Sequence, residues 1–321
     1  MTAPGHQGRP PIRLGLVGAG PWGQKIAAVL KDMPGVVLAG VAGRADWRGL
    51  VADPAIAGVI VATPPATHAE IALAAIKARK AVFIEKPLTF DVAQAESILA
   101  AAKKAGVAAV VDHVHLFHPA YGELKRQLAA EGPVHMIRAR GGRRGPFRAD
   151  VPVLWDWGPH DVAYALDLLG PEPERVTAAI KERRKPPQGP DKKESEIIAL
   201  SLVYADGARA ELEFGNLYDT PVRELIVQCA DCDLVVDEKS RAPLVRLPRR
   251  ETESCLAEEN AAEGATRPIP VGADLPLTVA LSTFARLIDE HRAETASLAL
   301  GVAVVRLLVR AERALTTGQP A

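Results

Sequence analysis

An α/β domain followed by an α+β domain is the fold class the sequence predicts, on three observations. The first third alternates short apolar, β-branched runs with helical stretches. A glycine-rich turn, Gly18-Ala19-Gly20-Pro21-Trp22-Gly23, joins the first such run to the first helix. Beyond about His118 the rhythm changes to segments that alternate apolar and polar residues between turn signals. Strands alternating with helices mean a parallel, doubly wound sheet, whereas period-two segments mean antiparallel pairing.

The elements follow in order. Residues 12–17 form a continuous apolar run, the mark of a strand buried on both faces. After the turn, residues 24–31 read as a helix with Ile26, Val29 and Leu30 on one face. Residues 36–42 and 58–62 are the next strands. Thr67 and Glu70 have the spacing of a capping box that opens a helix running to about Arg79. Residues 81–84 make a strand, Asp91 caps a helix, and residues 107–111 make another strand. In the second part, residues 121–130 are helical and an arginine-rich stretch follows. A helix over 160–169 is closed by Gly170-Pro171. Residues 197–204, 208–214, 224–228 and 234–237 alternate like antiparallel strands, with Ala205-Asp206-Gly207 turning between the first two. Residues 181–196 and 249–272 read as charged, proline-bearing loops, and helices over 277–292 and 298–315 end the chain. The domains are therefore drawn at 1–118 and 119–321, with the closing helix packing back on the first.

A chain of 321 residues is long enough for two such domains, each with its own core. Its 39 basic side chains balance 39 acidic ones, which gives no electrostatic reason to expect nucleic acid or a membrane surface as a partner. No stretch approaches the ~20 apolar residues of a membrane span. Residues 1–11 lack the apolar centre of a signal peptide. Three cysteines are no disulfide framework, so the cytoplasm is the expected compartment.

The glycine turn sits between strand and helix, the context a dinucleotide needs. Its first glycine permits the tight turn, the second lets backbone approach a pyrophosphate, and the third lets helix pack on strand. The second strand of such a unit normally ends in an acid that holds the adenine ribose; here stand Gly43 and Arg44. An arginine at that place suits the 2′-phosphate of NADP, although nearby Asp46 leaves NAD open. Glu85-Lys86-Pro87 lies at the C-terminal end of a parallel strand, where ligands of these sheets bind. A lysine there can stabilise charge on a reacting oxygen, and a cis bond before Pro87 would aim it inward. Pro159 fits the first position of a helix, which would put His160 in its first turn and keep the imidazole neutral, with Asp156 one turn earlier to orient it.

These residues together resemble the glucose–fructose oxidoreductase, inositol dehydrogenase and rhizopine-catabolism (Gfo/Idh/MocA) family over almost the whole length. The resemblance rests on Gly18-x-Gly20-x-x-Gly23, Ala62-Thr63-Pro64-Pro65 followed by His68, Glu85-Lys86-Pro87, Asp156-x-x-x-His160 and the late Pro276-Leu277. It implies an N-terminal Rossmann dinucleotide-binding domain and a C-terminal open-faced, mostly antiparallel sheet that joins subunits into a homodimer or homotetramer. It implies hydride transfer between NADP, favoured, or NAD and a carbinol or carbonyl carbon of a sugar, polyol or activated sugar derivative. Lys86, Asp156 and His160 are the implied catalytic residues. Gly18, Gly20, Pro21, Trp22, Gly23, Arg44, Thr63, Pro64, His68, Glu85 and Lys86 are assigned to the cofactor, and His113, Arg148 and Trp155 to the substrate. A dinucleotide-binding sensor or scaffold, or an NAD-using glycosidase of the same fold, is the alternative.

Two departures stand out. Few residues separate the second strand from Gly58, where relatives fit a further helix and strand, and an arginine, Arg223, stands where nucleotide-sugar enzymes of the family usually carry a lysine. Five arginines between Arg138 and Arg148 suit either an anionic substrate or a solvated basic face. His113, His115 and His118 lack a convincing further metal ligand, so no metal is expected, and Cys229 and Cys232 read as turn cysteines.

Overall fold

The computed structural model describes residues 10–147, 150–184, 195–248 and 266–321. It divides into two compact units, one holding residues up to Val114 together with Pro276–Val305, the other His115–Leu275 with Arg306–Ala321.

The first unit is built on five parallel strands: β1 (Ile12–Val17), β2 (Val36–Ala42), β3 (Gly58–Val61), β4 (Ala81–Glu85) and β5 (Ala109–Asp112). Their order is β2-β1-β3-β4-β5. Helices α1 (Pro21–Lys31), α2 (Trp47–Ala52), α3 (His68–Lys77) and α4 (Val92–Ala105) connect them. The apolar runs of β1, β3 and β4 are buried on both faces, from Leu14 and Leu16 to Val59–Val61 and Val82–Ile84, as a sheet covered by helices requires. The short segment after β2 holds only the six residues of α2, and β2 is left half-buried at the sheet edge. From β1 the chain passes first to one side, to β2, and then to the other, to β3. The crevice where such an order reverses, at the C-terminal ends of β1 and β3, is where open α/β sheets bind ligands.

The second unit begins with α5 (Pro119–Glu131) and β6 (Met136–Arg144), followed by α6 (Val153–Leu169). Then come β7 (Arg175–Arg184), β8 (Ser195–Val203), β9 (Arg209–Gly215), β10 (Leu217–Gln228), β11 (Cys232–Asp237), β12 (Leu244–Pro248) and the two-residue β13 (Arg267–Pro268). The sheet order is β13-β12-β11-β10-β6-β9-β8-β7, antiparallel except for the parallel pair β6–β9. Along β9, Ala210, Leu212 and Phe214 are buried while Arg209 and Glu211 are exposed, the period of two that separates a packed face from a solvated one. α6 lies on the packed face, so close that a Cβ on Gly158 would stand 3.0 Å from the Phe214 ring.

The chain ends with α7 (Pro276–Asp289) and α8 (Ala296–Thr317). α7 belongs to the first unit, where Phe284 meets Phe83 with ring centroids 5.6 Å apart. α8 contributes its residues to Val305 to the first unit and the remainder to the second.

Several sequence expectations are corrected here. Lys181–Arg184 is the end of β7 rather than loop, its charged residues exposed or half-buried along a strand paired with β8, and Ser195 and Glu196 begin β8. Residues 185–194 and 249–265 lie outside the described residues. The capping box does not form: the Thr67 hydroxyl donates to the Thr63 hydroxyl and the Pro64 carbonyl, and Glu70 pairs with Arg48 instead. The helix expected over 160–169 begins seven residues earlier, at Val153, with Pro152 as its cap and Pro159 inside it.

Candidate functional site

In the first unit the glycine turn closes β1 on α1. Gly18 has φ +119°, and a Cβ there would lie 2.3 Å from the Ala62 carbonyl oxygen, so only glycine lets this turn touch the loop after β3. At Gly23 a Cβ would fall 1.9 Å from the Gly18 carbonyl oxygen, which is the close packing of helix on strand. Gly20 differs from both: nothing lies within 4 Å of its Cβ position. It is the N-cap of α1, has no side chain to cap the helix, and is followed by Pro21 and by a first turn free of acidic residues. The result is an open cradle at a positive helix end, the arrangement that receives a pyrophosphate.

At the end of β2, the Asp46 carboxylate accepts the Gly43 N–H at 2.7 Å and is thereby tied into the turn, and Arg44 is exposed. At the end of β3, Thr63 is half-buried and Pro64 exposed. His68 is fully buried, with Nε2 2.8 Å from the Thr63 carbonyl oxygen and Nδ1 3.1 Å from that of Pro87. Burial lowers its pKa against the pull of those carbonyls. His68 thus braces the loops after β3 and β4. It offers no open face for a direct cofactor contact, which corrects the sequence assignment.

Lys86 stands half-buried at the end of β4, and the Lys86–Pro87 bond is cis, the geometry the sequence left open. Glu85 beside it is buried and pairs in register with Asp112 of β5. Burial, then the Asp112 carboxylate, push the Glu85 carboxyl well above the usual range; Asp112 itself is pushed up to about 6 by burial. Such a pair retains a proton near neutrality. The Trp22 indole N–H donates to Glu85, and Lys25 lies 5.2 Å from the Trp22 ring centre. Trp22 and Glu85, both assigned to the cofactor, therefore meet each other directly. Asp112 escaped sequence reasoning, although as a carboxylate ending an apolar strand it repeats the position of Glu85. His113, next in the chain, is 2% exposed.

In the second unit, Asp156 and His160 lie four residues apart on α6, hence on one face, and both are half-buried. Because the helix starts at Val153, Asp156 occupies its first turn and His160 the third. The helix end therefore does not account for a neutral imidazole. Trp155, assigned to substrate, is 3% exposed and donates its indole N–H to Glu312 of α8 at 3.1 Å; it packs the helix instead. Arg148 lies outside the described residues.

Beside His160 is the ring of His115, edge to face, with centroids 4.6 Å apart and planes at 81°. His115 Nδ1 lies 2.7 Å from Glu238 Oε1, to which the Tyr164 hydroxyl also donates, at 3.2 Å. Arg223 is buried and donates to Asp161 at 2.9 Å, so it is not presented to a ligand as the lysine of nucleotide-sugar enzymes would be. Glu238 and Tyr164 went unnoticed in the sequence, since nothing local links Glu238 to His115 across 123 positions.

The arginine cluster resolves in part. Arg140 lies 3.7 Å from Glu213, and Arg144 pairs with Asp219 at 3.2 Å, both on a partly solvated face. Among the described residues no group of three or more acidic, histidine or cysteine side chains is placed to hold a metal. Cys229 and Cys232 are buried at a turn and carry no disulfide; burial raises both thiols, Cys232 to about 12, so neither is a ready nucleophile. No described helix is long and apolar enough to cross a membrane.

Comparison with known proteins gives two family models. Residues 39–113 match one described as "Oxidoreductase family, NAD-binding Rossmann fold", and residues 129–231 match the GFO/IDH/MocA C-terminal domain. A crystal structure of a protein from Magnetospirillum magnetotacticum MS-1 superposes with TM-score 0.83 at 36% identity, covering 93% of this chain and 99% of that one. The inositol 2-dehydrogenase of Acidothermus cellulolyticus is 29% identical over 67% of this chain and 70% of its own length. Two further curated relatives match over 51% and 39% of their lengths. The UDP-N-acetylglucosamine 3-dehydrogenase of Acidithiobacillus ferrooxidans shares the fold at TM-score 0.78 and 21% identity, covering 95% of this chain and 98% of that one.

Proposed function

Because the chain belongs to the GFO/IDH/MocA oxidoreductase family, we propose that it transfers hydride between a nicotinamide cofactor and a CH–OH or C=O carbon of a sugar, polyol or activated sugar derivative. The observation that carries this reading is the open cradle at Gly20, walled by two glycines that backbone contacts make obligatory. Inositol and UDP-N-acetylglucosamine dehydrogenases among the relatives support the substrate class. The cofactor, when bound, supplies the hydride acceptor. The pyrophosphate would lie at Gly18, Gly20, Pro21 and Gly23, and the nicotinamide end near Thr63, Pro64 and Lys86. NADP is favoured over NAD because Arg44 ends β2 and the one nearby carboxylate, Asp46, is engaged by the Gly43 amide.

In the oxidation direction, Lys86 holds the substrate hydroxyl and stabilises the oxygen as charge develops. His160 accepts the hydroxyl proton, and Asp156, on the same helix face, fixes its orientation. In reduction the same groups return the proton. Arg148 is kept as a candidate substrate contact; His113, almost fully buried like Trp155, is not. Assembly into a dimer or tetramer through the outer face of the second unit's sheet belongs to the same reading.

Calorimetric titration of cofactor-stripped protein with NADPH and with NADH tests it first. Tighter binding of NADPH, weakened in Arg44→Ala, is expected; binding of neither would leave a scaffold as the better account. Lys86→Ala should then lower kcat/KM at least about 100-fold while cofactor affinity holds. Unchanged turnover would remove Lys86 from the mechanism.

A further inference from the structure

We propose that His115, held as an imidazolium by Glu238, is a positioning residue that keeps the neighbouring His160 neutral and so able to accept a proton. The inference rests on the oxidoreductase reading for its purpose, and on the second unit alone for its geometry.

The charge balance of the cluster carries it. Two carboxylates are withdrawn from water here, Asp161 with a side chain 0% exposed and Glu238 with 11%. One guanidinium, Arg223, faces both, and its hydrogen bond goes to Asp161 at 2.9 Å. Glu238 is left with the Tyr164 hydroxyl, which is neutral, and with His115 Nδ1 at 2.7 Å. A buried carboxylate needs a counter-charge, and the partner within hydrogen-bond reach that can supply one is the imidazole. Glu238 stays below the usual carboxylate range although burial, the largest influence, acts to raise it, because the His115 hydrogen bond and charge, with smaller help from His118 and Arg223, outweigh burial.

His118 also faces Glu238, but its Nδ1 accepts the Ala120 N–H at 3.1 Å. That nitrogen is engaged by the start of α5, so the imidazole that hydrogen-bonds Glu238 is that of His115.

The consequence falls on His160. A second positive charge 4.6 Å from the His115 ring is disfavoured, which lowers the affinity of His160 for a proton. Asp156, one turn earlier on α6, and Asp161, next to His160 in the chain, pull the other way; Asp161 is largely answered by Arg223. His115 therefore replaces the helix end, two turns too far away, as the reason for a neutral base.

The test is an NMR titration of the imidazole signals in the full chain, which needs no turnover. In the wild type, His115 should titrate above pH 7.5, about a unit over an ordinary histidine. In Glu238→Gln its midpoint should fall by about one unit or more, and in His115→Phe the His160 midpoint should rise by about one unit, tenfold in proton affinity. Where oxidation of a polyol is measurable, the acid limb of the kcat/KM profile of His115→Phe should move up in pH with His160. A wild-type His115 midpoint at or below 6.5, or a His160 midpoint unmoved in His115→Phe, overturns the inference. If His115→Phe does not fold, the wild-type midpoint decides alone. Absence of any redox turnover with these midpoints intact would sink the oxidoreductase reading and leave the protonation scheme standing.

Discussion

Glu85 and Asp112 in the first unit, and Asp161 and Glu238 in the second, are each a pair of carboxyl groups taken out of water. The first pair faces itself across two parallel strands, with an indole N–H and the adjoining Lys86 as its favourable neighbours. It resolves the conflict by keeping a proton. The second pair is divided between two cations, Arg223 and His115, and resolves it by counter-charge. One device stores a proton that pH can remove near neutrality. The other fixes charges in place and passes their effect to a neighbouring ring.

The largest effect should come from breaking the counter-charge. Arg223→Met leaves Asp161 buried at 0% exposure without its cation, and a broken buried ion pair costs about 3–5 kcal/mol. Urea unfolding should show that loss in the midpoint, and Arg223→Met combined with Asp161→Leu should recover much of it. A loss under about 1 kcal/mol for the single variant would mean that Arg223 and Asp161 are not paired in solution.

Next in size is the proton store. Asp112 has its folded pKa raised to about 6 from the usual carboxylate value, so the folded state binds the proton more tightly than the unfolded chain does. Its contribution is present at low pH and is lost as pH rises through the folded value. Asp112→Asn should therefore stabilise the protein by about 1–3 kcal/mol at pH 8 relative to wild type and do little at about pH 3, below the unfolded value. Thermal melts at both pH values check this; equal shifts at the two would show that Asp112 ionises freely.

The two regions also differ in how far the sequence reveals them. The parallel strands were legible because a sheet covered on both faces demands unbroken apolar runs, and the glycine turn because Gly18 and Gly23 answer steric demands of the backbone while Gly20 leaves its place open. β6 is legible only as a strand and loop with a basic face, because Met136–Arg144 alternates arginines with small residues and carries two glycines. β7 was cut short because its outward residues are all charged at its end. The start of α6 was misplaced because Pro159 satisfies a helix's first position as well as Pro152 satisfies its cap; a proline lacks the N–H needed inside a helix, yet this helix carries one there. Asp156 and His160 survive that error, since a spacing of four keeps them on one face wherever the helix begins. The Glu238–His115 contact had no local signal at all. Pairings made by tertiary folding are invisible to spacing, and the part of the site built from them was unreadable for that reason.

The smallest effect sharpens the contrast between the two devices. Trp22 is 37% exposed, yet its indole N–H reaches the buried Glu85 carboxyl. That hydrogen bond favours the ionised carboxylate and opposes the burial that holds the proton. Trp22→Phe keeps the ring and removes the donor. The Glu85 pKa should rise further, and the stability lost relative to wild type should be larger at about pH 9 than at about pH 5, because the ionised group is the form that needs the donor. Urea midpoints at the two pH values measure it. A loss independent of pH would show that the indole contributes packing alone, and that the acidic pair keeps its proton without reference to the cofactor turn.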